Sequence, residues 1–127
     1  MNASSSEVKA KVLKLLEFVL EKQAKDPVIL DVRKTGLSDY FIICSAPSEE
    51  QVRAIYNQVL KQCKKNKIKI YHRQDDELSC WVLLDFFDVI LHVFTDEARY
   101  FYNLEYLWQP AIKMSSIPPA PKKSSKT

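Results

Sequence analysis

Glycine is nearly absent from this chain: Gly36 is the one glycine among 127 residues. Loops that cradle phosphate groups need several glycines, because the backbone must turn tightly and approach the ligand closely. A P-loop and a dinucleotide-binding fingerprint are therefore excluded. The same scarcity excludes the G-x-S-x-G turn that presents the nucleophilic serine of many hydrolases.

Cysteine is scarce too, with Cys44, Cys63 and Cys80 forming an odd number and no C-x-x-C pair. This pattern predicts neither a disulfide framework nor a zinc site, and we predict no metal and no cofactor. Apolar runs of membrane-spanning length are missing, and the N-terminus lacks the apolar region of a secretory signal. We therefore expect a cytoplasmic protein with no membrane partner.

Charge is distributed unevenly along the chain. Residues 111–127 carry four lysines and no acid, and without them the formal charge of +3 becomes −1. Residues 61–73 contain six basic and no acidic residues, whereas residues 75–105 contain eight acidic residues and one basic residue, Arg99. An acidic surface attracts basic partners and repels phosphate, which disfavours nucleic-acid binding by that half. An ordinary solvated face explains the same pattern.

Hydrophobic periodicity predicts the element order α-β-β-α-β-β-β-α. The first helix is expected to begin at Ser4 and end before Pro27, the second to begin at Ser48, and the third to run from Thr95 to Pro110. Strands and helices in this order predict the α/β class, with a small mixed sheet flanked by helices. The predicted strands are 28–33, 39–45, 68–72, 80–86 and 89–94, the second being apolar throughout and buried on both faces.

The apolar segment LSCWVLLDFFDVILHVF, residues 78–94, is expected to form a hairpin. Burying an unpaired carboxylate is costly, so Asp85 and Asp88 should reach solvent, find a partner or close the hairpin turn. His92 lies in an apolar strand, where a hydrogen-bonded structural histidine is the plain interpretation. No motif of nucleophilic catalysis accompanies it.

One enzyme-like pattern remains in residues 36–41, GLSDYF. Nucleotidyltransferases place two aspartates two residues apart on a strand, so that both face one Mg²⁺ ion. Here Asp39 matches the first position and Phe41 occupies the second, so a metal site would lack a ligand. A residual nucleotidyltransferase-like enzyme stays an alternative, and it predicts Mg²⁺-dependent nucleotide binding near Asp39.

Several segments carry a family pattern: LSDYFIICS (37–45), QVRAI (51–55), WVLLD (81–85) with DVILHVF (88–94), and YNLEYLW (102–108). Together they resemble the ribosomal silencing factor family, also called Iojap-like. The resemblance implies a nucleotidyltransferase-like fold without the catalytic set, and hence no enzyme. It also implies binding to large-subunit ribosomal protein fourteen, which blocks joining of the small subunit and lowers translation when nutrients are scarce. A homodimer off the ribosome is implied as well, and large-subunit assembly is an alternative role.

The resemblance places the partner-binding surface on the hairpin, at an edge or rim of the sheet. Trp81 is expected to anchor it, because tryptophan buries much area and keeps a polar N–H; a core position is the alternative. Asp85 and Asp88 are expected to meet basic groups of the ribosomal protein, and Asp96 to extend an acidic rim. The predicted partner-binding residues are Trp81, Leu83, Asp85, Phe87, Asp88, His92 and Glu77, with Asp39, Arg53 and Glu105 as secondary candidates.

Two details of this surface stay open. The family usually has glycine at the position of Phe87, where positive φ is favourable, so a different turn type is an open alternative. Arg53 lies near the start of the second helix, where the helix dipole disfavours a cation. An ion pair with Glu49 or Glu50 explains Arg53 as well as a functional role does.

We expect residues 1–110 to form one domain and residues 111–127 to be a disordered tail rich in proline, serine and lysine. The tail is a candidate for an auxiliary contact to ribosomal RNA. A further alternative function is an RNA binder that uses the tail and the lysines of 61–69. It predicts steep salt dependence and indifference to changes at Trp81.

Overall fold

The computed structural model describes residues 5–36, 38–75, 80–107 and 112–113. They form four helices and six strands, with a 3-10 turn at Arg33–Thr35. The helices are α1 Ser5–Glu21, α2 Glu49–Lys65, α3 Asp96–Tyr102 and α4 Leu104–Leu107. The strands are β1 Lys25–Asp31, β2 Tyr40–Ala46, β3 His72–Asp75, β4 Trp81–Asp85, β5 Val89–Thr95 and β6 Ile112–Lys113.

The strands form one mixed sheet in the order β3-β4-β5-β2-β1-β6. β2 and β5 run parallel, with Ile42 opposite Leu91, and every other neighbouring pair is antiparallel. All seven residues of β2 are buried, because the strand lies inside the sheet and is covered on both faces. The predicted α/β class and the doubly buried second strand are confirmed. The likeness to nucleotidyltransferases stays a prediction.

Apolar side chains pack on both faces of the sheet, because successive strand residues point to opposite sides. α1 and α2 cover one face, where Leu15 and Ile55 are fully buried in the same cluster as Ile42 and Leu91. α3 and α4 lie on the other face. The cluster there contains Leu30, Val32, Phe41, Ile43, Phe94 and Ala98, with Trp81, Ile90 and Leu104 packed against it.

α1 ends at Glu21, well before the proline that was predicted to stop it. The backbone leaves the helix at Gln23, whose φ of 63° is the left-handed conformation that usually ends helices. Pro27 instead lies inside β1. There the register with β2 shifts between Lys25 and Val28, so the missing N–H of proline falls at an irregular point of the ladder.

Ser48 caps α2 as predicted, with its Oγ accepting a hydrogen bond from the Gln51 N–H at 3.1 Å. The Gln51 side chain does not accept a hydrogen bond from the backbone N–H of Ser48, as it would in a capping box. Its Nε2 donates to the Lys22 carbonyl at 2.6 Å, which ties the start of α2 to the end of α1. The buried face of α2 follows helical spacing and consists of Val52, Ile55, Tyr56, Val59 and Cys63.

β3 is formed by His72–Asp75, so the strand predicted at 68–72 was placed too early. Ile68 and Ile70 do pack against the core, which is the alternation on which the prediction rested. Ladder pairing with β4 nevertheless begins only at His72, opposite Asp85. The edge strand is therefore polar and exposed, and hydrophobic alternation could not locate it.

Thr95 caps α3 as predicted, with its Oγ1 accepting from the Ala98 N–H at 3.1 Å. The single helix predicted to continue to Pro110 is interrupted at Asn103, where a φ of 47° ends α3 in the left-handed conformation. Asparagine tolerates this conformation better than most residues, which explains the break. Pro110 lies outside the described residues.

The Arg99 side chain connects several elements near the start of β1 and the end of β2. Its Nε and Nη2 donate to the two carboxylate oxygens of Glu105 on α4, at 3.1 Å each. Its Nη1 donates to the Ser45 Oγ at 3.1 Å and to the Lys25 carbonyl at 3.3 Å. One guanidinium therefore links α3 to α4, β1 and β2.

β6 pairs antiparallel with β1, with Ile112 opposite Asp31 and Lys113 opposite Leu30. These two residues of the predicted tail thus lie at the edge of the sheet, and the rest of 111–127 is outside the described residues. The division of the chain at residue 110 stays a prediction. Among the described residues, no helix is long and apolar enough to cross a membrane.

Candidate partner-binding surface

The strands of the β4–β5 hairpin lie between β3 and β2. Of the two predicted positions, an edge or a rim of the sheet, the edge is therefore wrong. Along β4, Val82 and Leu84 are buried on the face that α1 and α2 cover. Trp81, Leu83 and Asp85 point to the opposite side and stay partly exposed. We call the partly exposed side chains on this side of the two strands the β4–β5 face: Trp81, Leu83, Asp85 and Ile90.

Trp81 is both packed and partly exposed. Its ring centroid lies 4.9 Å from that of Phe94 and 4.8 Å from that of Tyr102. Its Nε1 donates to the Nδ1 of His92 at 3.2 Å, so the polar N–H is used within the protein. The two alternatives for Trp81 are thus combined, because the ring packs on the second core cluster and still contributes to the β4–β5 face.

His92 is 4% exposed and lies opposite Leu83 across the strand pair. Burial lowers its pKa from 6.5 to about 4, so the imidazole is neutral at neutral pH. Because Nδ1 accepts from Trp81, the proton of the neutral ring is on Nε2. That atom is buried without a hydrogen-bond partner among the residues that the structure describes. His92 is therefore connected to the β4–β5 face through its hydrogen bond with Trp81.

Phe87 forms the turn of the hairpin with a φ of 79°. The Asp88 N–H bonds to the Phe86 carbonyl at 3.0 Å, which together with this φ defines a γ-turn. The Asp85 carboxylate supports the turn by accepting the Phe87 N–H at 2.7 Å. The backbone therefore keeps the positive φ that a glycine would favour. The Phe87 ring is 60% exposed and lies 5.6 Å from the ring of Tyr71.

Asp88 points inward from the same turn. Its Oδ1 lies 2.8 Å from the Nζ of Lys11 on α1, and its side chain is 11% exposed. Its carbonyl accepts the N–H groups of Asp39 and Tyr40 at 3.0 and 3.1 Å. Asp88 thus joins the hairpin to α1 and β2, which is the turn-closing alternative rather than an exposed contact.

Much of the acidic charge predicted for this surface is neutralised within the protein. Asp96 pairs with a lysine of β1 at 2.8 Å, and Glu105 pairs with Arg99 at 3.1 Å. Asp85, in contrast, forms no ion pair with a described residue. Glu77 lies outside the described residues. The β4–β5 face is therefore more apolar and aromatic than the sequence indicated.

The two remaining candidates lie at different places. Asp39 is partly buried at the start of β2, next to the hairpin turn. Arg53 lies on α2, across the sheet from the β4–β5 face, and its Nη1 donates to Asp75 at 2.8 Å. The structure thus brings Asp39 towards the surface and leaves Arg53 apart from it.

Two aromatic residues of the surface were missed. Tyr102 is 45% exposed and packs on Trp81, and Tyr71 is 55% exposed and packs on Phe87. Both contacts join residues that are distant along the chain. Hydrophobic periodicity carries no signal for such contacts, although Tyr102 lies in one of the family-like segments.

The structure shows which side chain occupies the second position of the enzyme-like pattern. The position of a second metal-binding aspartate holds Phe41, which is 4% exposed and lies edge-on to His92 at 4.9 Å. No group of three or more His, Cys, Asp or Glu suited to a metal ion occurs in the part of the chain that the structure describes. Burial raises the pKa of Cys44 to about 12 and that of Cys63 to about 11, so these thiols stay protonated.

Comparison of the sequence with known proteins gives one family. The model of the family described as ribosomal silencing factor during starvation matches residues 5–127. Ribosomal silencing factor RsfS of Bacillus subtilis (strain 168) is 39% identical over 92 residues, which cover 72% of this chain and 78% of that protein. The chloroplastic protein Iojap of Zea mays is 36% identical over 92 residues, which cover 72% of this chain and 40% of that longer protein.

Solved structures agree with these matches. A crystal structure from Bacillus halodurans superposes with a TM-score of 0.69 at 38% identity and covers 81% of this chain and 97% of that one. A crystal structure from Chromobacterium violaceum superposes with a TM-score of 0.73 at 30% identity and covers 78% of this chain and 85% of that one. The expected resemblance is confirmed, and the chain belongs to the ribosomal silencing factor family.

Proposed function

We propose that this protein is a translation silencing factor that binds the large ribosomal subunit through ribosomal protein fourteen of that subunit. Bound there, it blocks joining of the small subunit and lowers translation when nutrients are scarce. Membership of a family whose members are named ribosomal silencing factors supports the ribosomal setting. In this proposal the protein acts in the cytoplasm, by binding and without catalysis.

The β4–β5 face is the observation that carries the proposal. Trp81 and Leu83 lie two residues apart on one face of β4, and both side chains are partly exposed. Partly exposed aromatic and aliphatic side chains in one patch are the usual energetic centre of a protein interface. The hydrogen bond from Trp81 to His92 fixes the indole before binding, so little side-chain entropy is lost when a partner docks.

Asp85 adds a charge of the right sign for a basic partner. Its carboxylate accepts one backbone N–H at 2.7 Å and forms no ion pair with a described residue, so its charge is available at the surface. A carboxylate can accept further hydrogen bonds from lysine or arginine. Asp85 is thus the predicted acidic contact that the structure supports, whereas Asp88 is engaged with Lys11.

Co-sedimentation with purified large subunits tests the proposal. Leu83→Ala should weaken binding about fivefold, and Trp81→Ala should weaken it at least about 30-fold, as for a central interface residue. Leu13→Ala is the matched control, because Leu13 is 41% exposed on α1, on the other side of the sheet. It should bind like the wild type.

Each variant must first show cooperative, native-like unfolding. Equal binding by all three folded variants would mean that the β4–β5 face is not the docking surface. Failure of the wild-type protein to sediment with large subunits would contradict the proposed function itself.

We also propose that the free protein forms a homodimer. Tyr100 and Phe101 of α3 are 89% and 78% exposed, and self-association would remove these two aromatic rings from water. Sedimentation equilibrium at micromolar concentration should give twice the monomer mass of 14.8 kDa, and Phe101→Ser should shift it towards the monomer. A concentration-independent monomer would contradict this part of the proposal.

A further inference from the structure

Six exposed basic side chains form a second surface, which we call the basic strip. It begins at the end of α2, follows the connection to β3 and ends on that edge strand. None of its side chains forms an ion pair with a described residue. The strip consists of Lys61, Lys64, Lys65, Lys67, Lys69 and Arg73.

The backbone explains why these charges face outward. Lys67 has a φ of 58°, which turns the chain at the end of α2. Ile68 and Ile70 then pack against the core, so the residues between and after them, Lys69 and Tyr71, point to solvent. The strip is therefore held on the folded domain.

Stabilisation of the α2 dipole explains only some of these basic residues. Lys64 and Lys65 complement the negative end of the α2 dipole, as many helix ends do. Lys67, Lys69 and Arg73 follow the helix and gain nothing from its dipole. A run of 13 residues with six basic and no acidic side chains creates a positive potential that a polyanion would neutralise.

Exposed aromatic rings lie against the strip. The Lys69 Nζ is 4.6 Å from the ring centroid of Tyr71, which is 55% exposed. Tyr71 in turn packs on Phe87, which is 60% exposed. Cations beside open aromatic rings are the combination that binds single-stranded nucleic acid, because the cations meet phosphates and unpaired bases stack on the rings.

We propose that the basic strip binds RNA, with its lysines on the phosphate backbone and Tyr71 and Phe87 stacking an unpaired base. On the ribosome this would be a ribosomal RNA contact beside the protein contact of the β4–β5 face, and in that setting it rests on the proposed function. RNA is favoured over an acidic protein because the positive charge is continuous and the adjoining rings are exposed.

Fluorescence anisotropy with a labelled 20-nucleotide oligouridylate tests the strip separately from the ribosome. Lys61→Glu/Lys65→Glu/Lys69→Glu should weaken binding at least about tenfold. It should also reduce the slope of log K against log salt by about 2, since each phosphate contact on a single strand contributes about 0.7. Tyr71→Ala should weaken binding about fivefold without changing this slope.

Two further proteins serve as controls. Lys9→Glu/Lys14→Glu/Lys34→Glu changes the same net charge at exposed lysines elsewhere and should lose less than about twofold. Trp81→Ala should bind the oligonucleotide like the wild type, so failure of the RNA contact and failure of the protein contact are distinguishable. Thermal unfolding must show that each variant is folded.

Three results would overturn the proposal. The first is that the wild type does not bind the oligouridylate at 50 mM salt. If the strip variant nevertheless binds large subunits more weakly than the wild type, the strip contacts protein instead of RNA. The second is an equal loss in the control triple variant. The third is complete loss in Lys122→Gln/Lys123→Gln/Lys126→Gln, which would assign the contact to the tail.

Discussion

The ion pair between Lys11 and Asp88 gives the sharpest test of how the hairpin is held. The two atoms are 2.8 Å apart, and the side chains are 25% and 11% exposed, so water screens the pair only in part. The Lys11 Nζ also approaches the Phe86 carbonyl at 3.5 Å. We expect this pair to stabilise the fold, because it fastens the strained γ-turn to α1.

The expected magnitude follows from this partial burial. A hydrogen bond between charged groups contributes about 1.5–3 kcal/mol, and the exposure of Lys11 places this pair near the lower end. Lys11→Met and Asp88→Asn should each lower the free energy of unfolding by about 1–2 kcal/mol. For a domain of this size, this corresponds to a fall in Tm of about 3–8 °C.

Urea unfolding of the two single variants and the double variant measures the pair directly. The double-mutant cycle should give a coupling energy of about 1 kcal/mol, with an unchanged dependence on urea concentration. A coupling energy below about 0.3 kcal/mol, which is the usual scatter for independent sites, would refute the claim that this ion pair stabilises the fold. Folded Asp88→Asn should still bind large subunits; selective loss of binding in this variant would show that Asp88 contacts the partner after all.

Three further predictions concern other parts of the fold. The pKa of His92 is about 4 in the folded protein against 6.5 when unfolded, so the unfolded state binds more protons between these values and stability falls as pH falls. From pH 7.5 to 4.5 the wild type should lose about 2–3 kcal/mol more unfolding free energy than His92→Gln, and equal losses would contradict the burial of a neutral imidazole. Cys80 is the partly exposed thiol, so a thiol reagent should label one cysteine in the native protein and three in denaturant; rapid labelling of all three under native conditions would contradict the structure. Arg99→Lys should cost about 1–2 kcal/mol, since lysine cannot bond both oxygens of Glu105, and an unchanged urea midpoint would contradict this role.

The sequence predicted the fold where hydrophobic burial decides it. β2 is a continuous apolar run and is buried as expected, and the inner face of α2 follows its helical spacing. The predictions failed where the backbone is set by other forces. β3 is a polar edge strand held by ladder pairing, and Pro27 lies at a strand irregularity rather than at a helix end.

The candidate site was predicted less completely, because it depends on contacts between distant parts of the chain. Trp81 and Leu83 follow from alternation along β4, and the structure places them together as expected. The pairing of Asp88 with a lysine 77 residues away has no signature in local periodicity. The pairing of Arg99 with Glu105 spans only six residues, but it depends on the helix break at Asn103, which the helical spacing did not predict. As a result, the sequence overstated the acidity of the surface and gave no indication of the aromatic contact between Trp81 and Tyr102.

The most direct test of the central claim is a light-scattering assay of ribosomal subunit joining. Purified large subunits would be saturated with the protein, as checked by co-sedimentation, and then mixed with small subunits. We predict that the wild type suppresses joining in proportion to the occupied large subunits and that folded Trp81→Ala does not at the same concentration. Normal joining on large subunits fully occupied by the wild type would contradict the proposed silencing function.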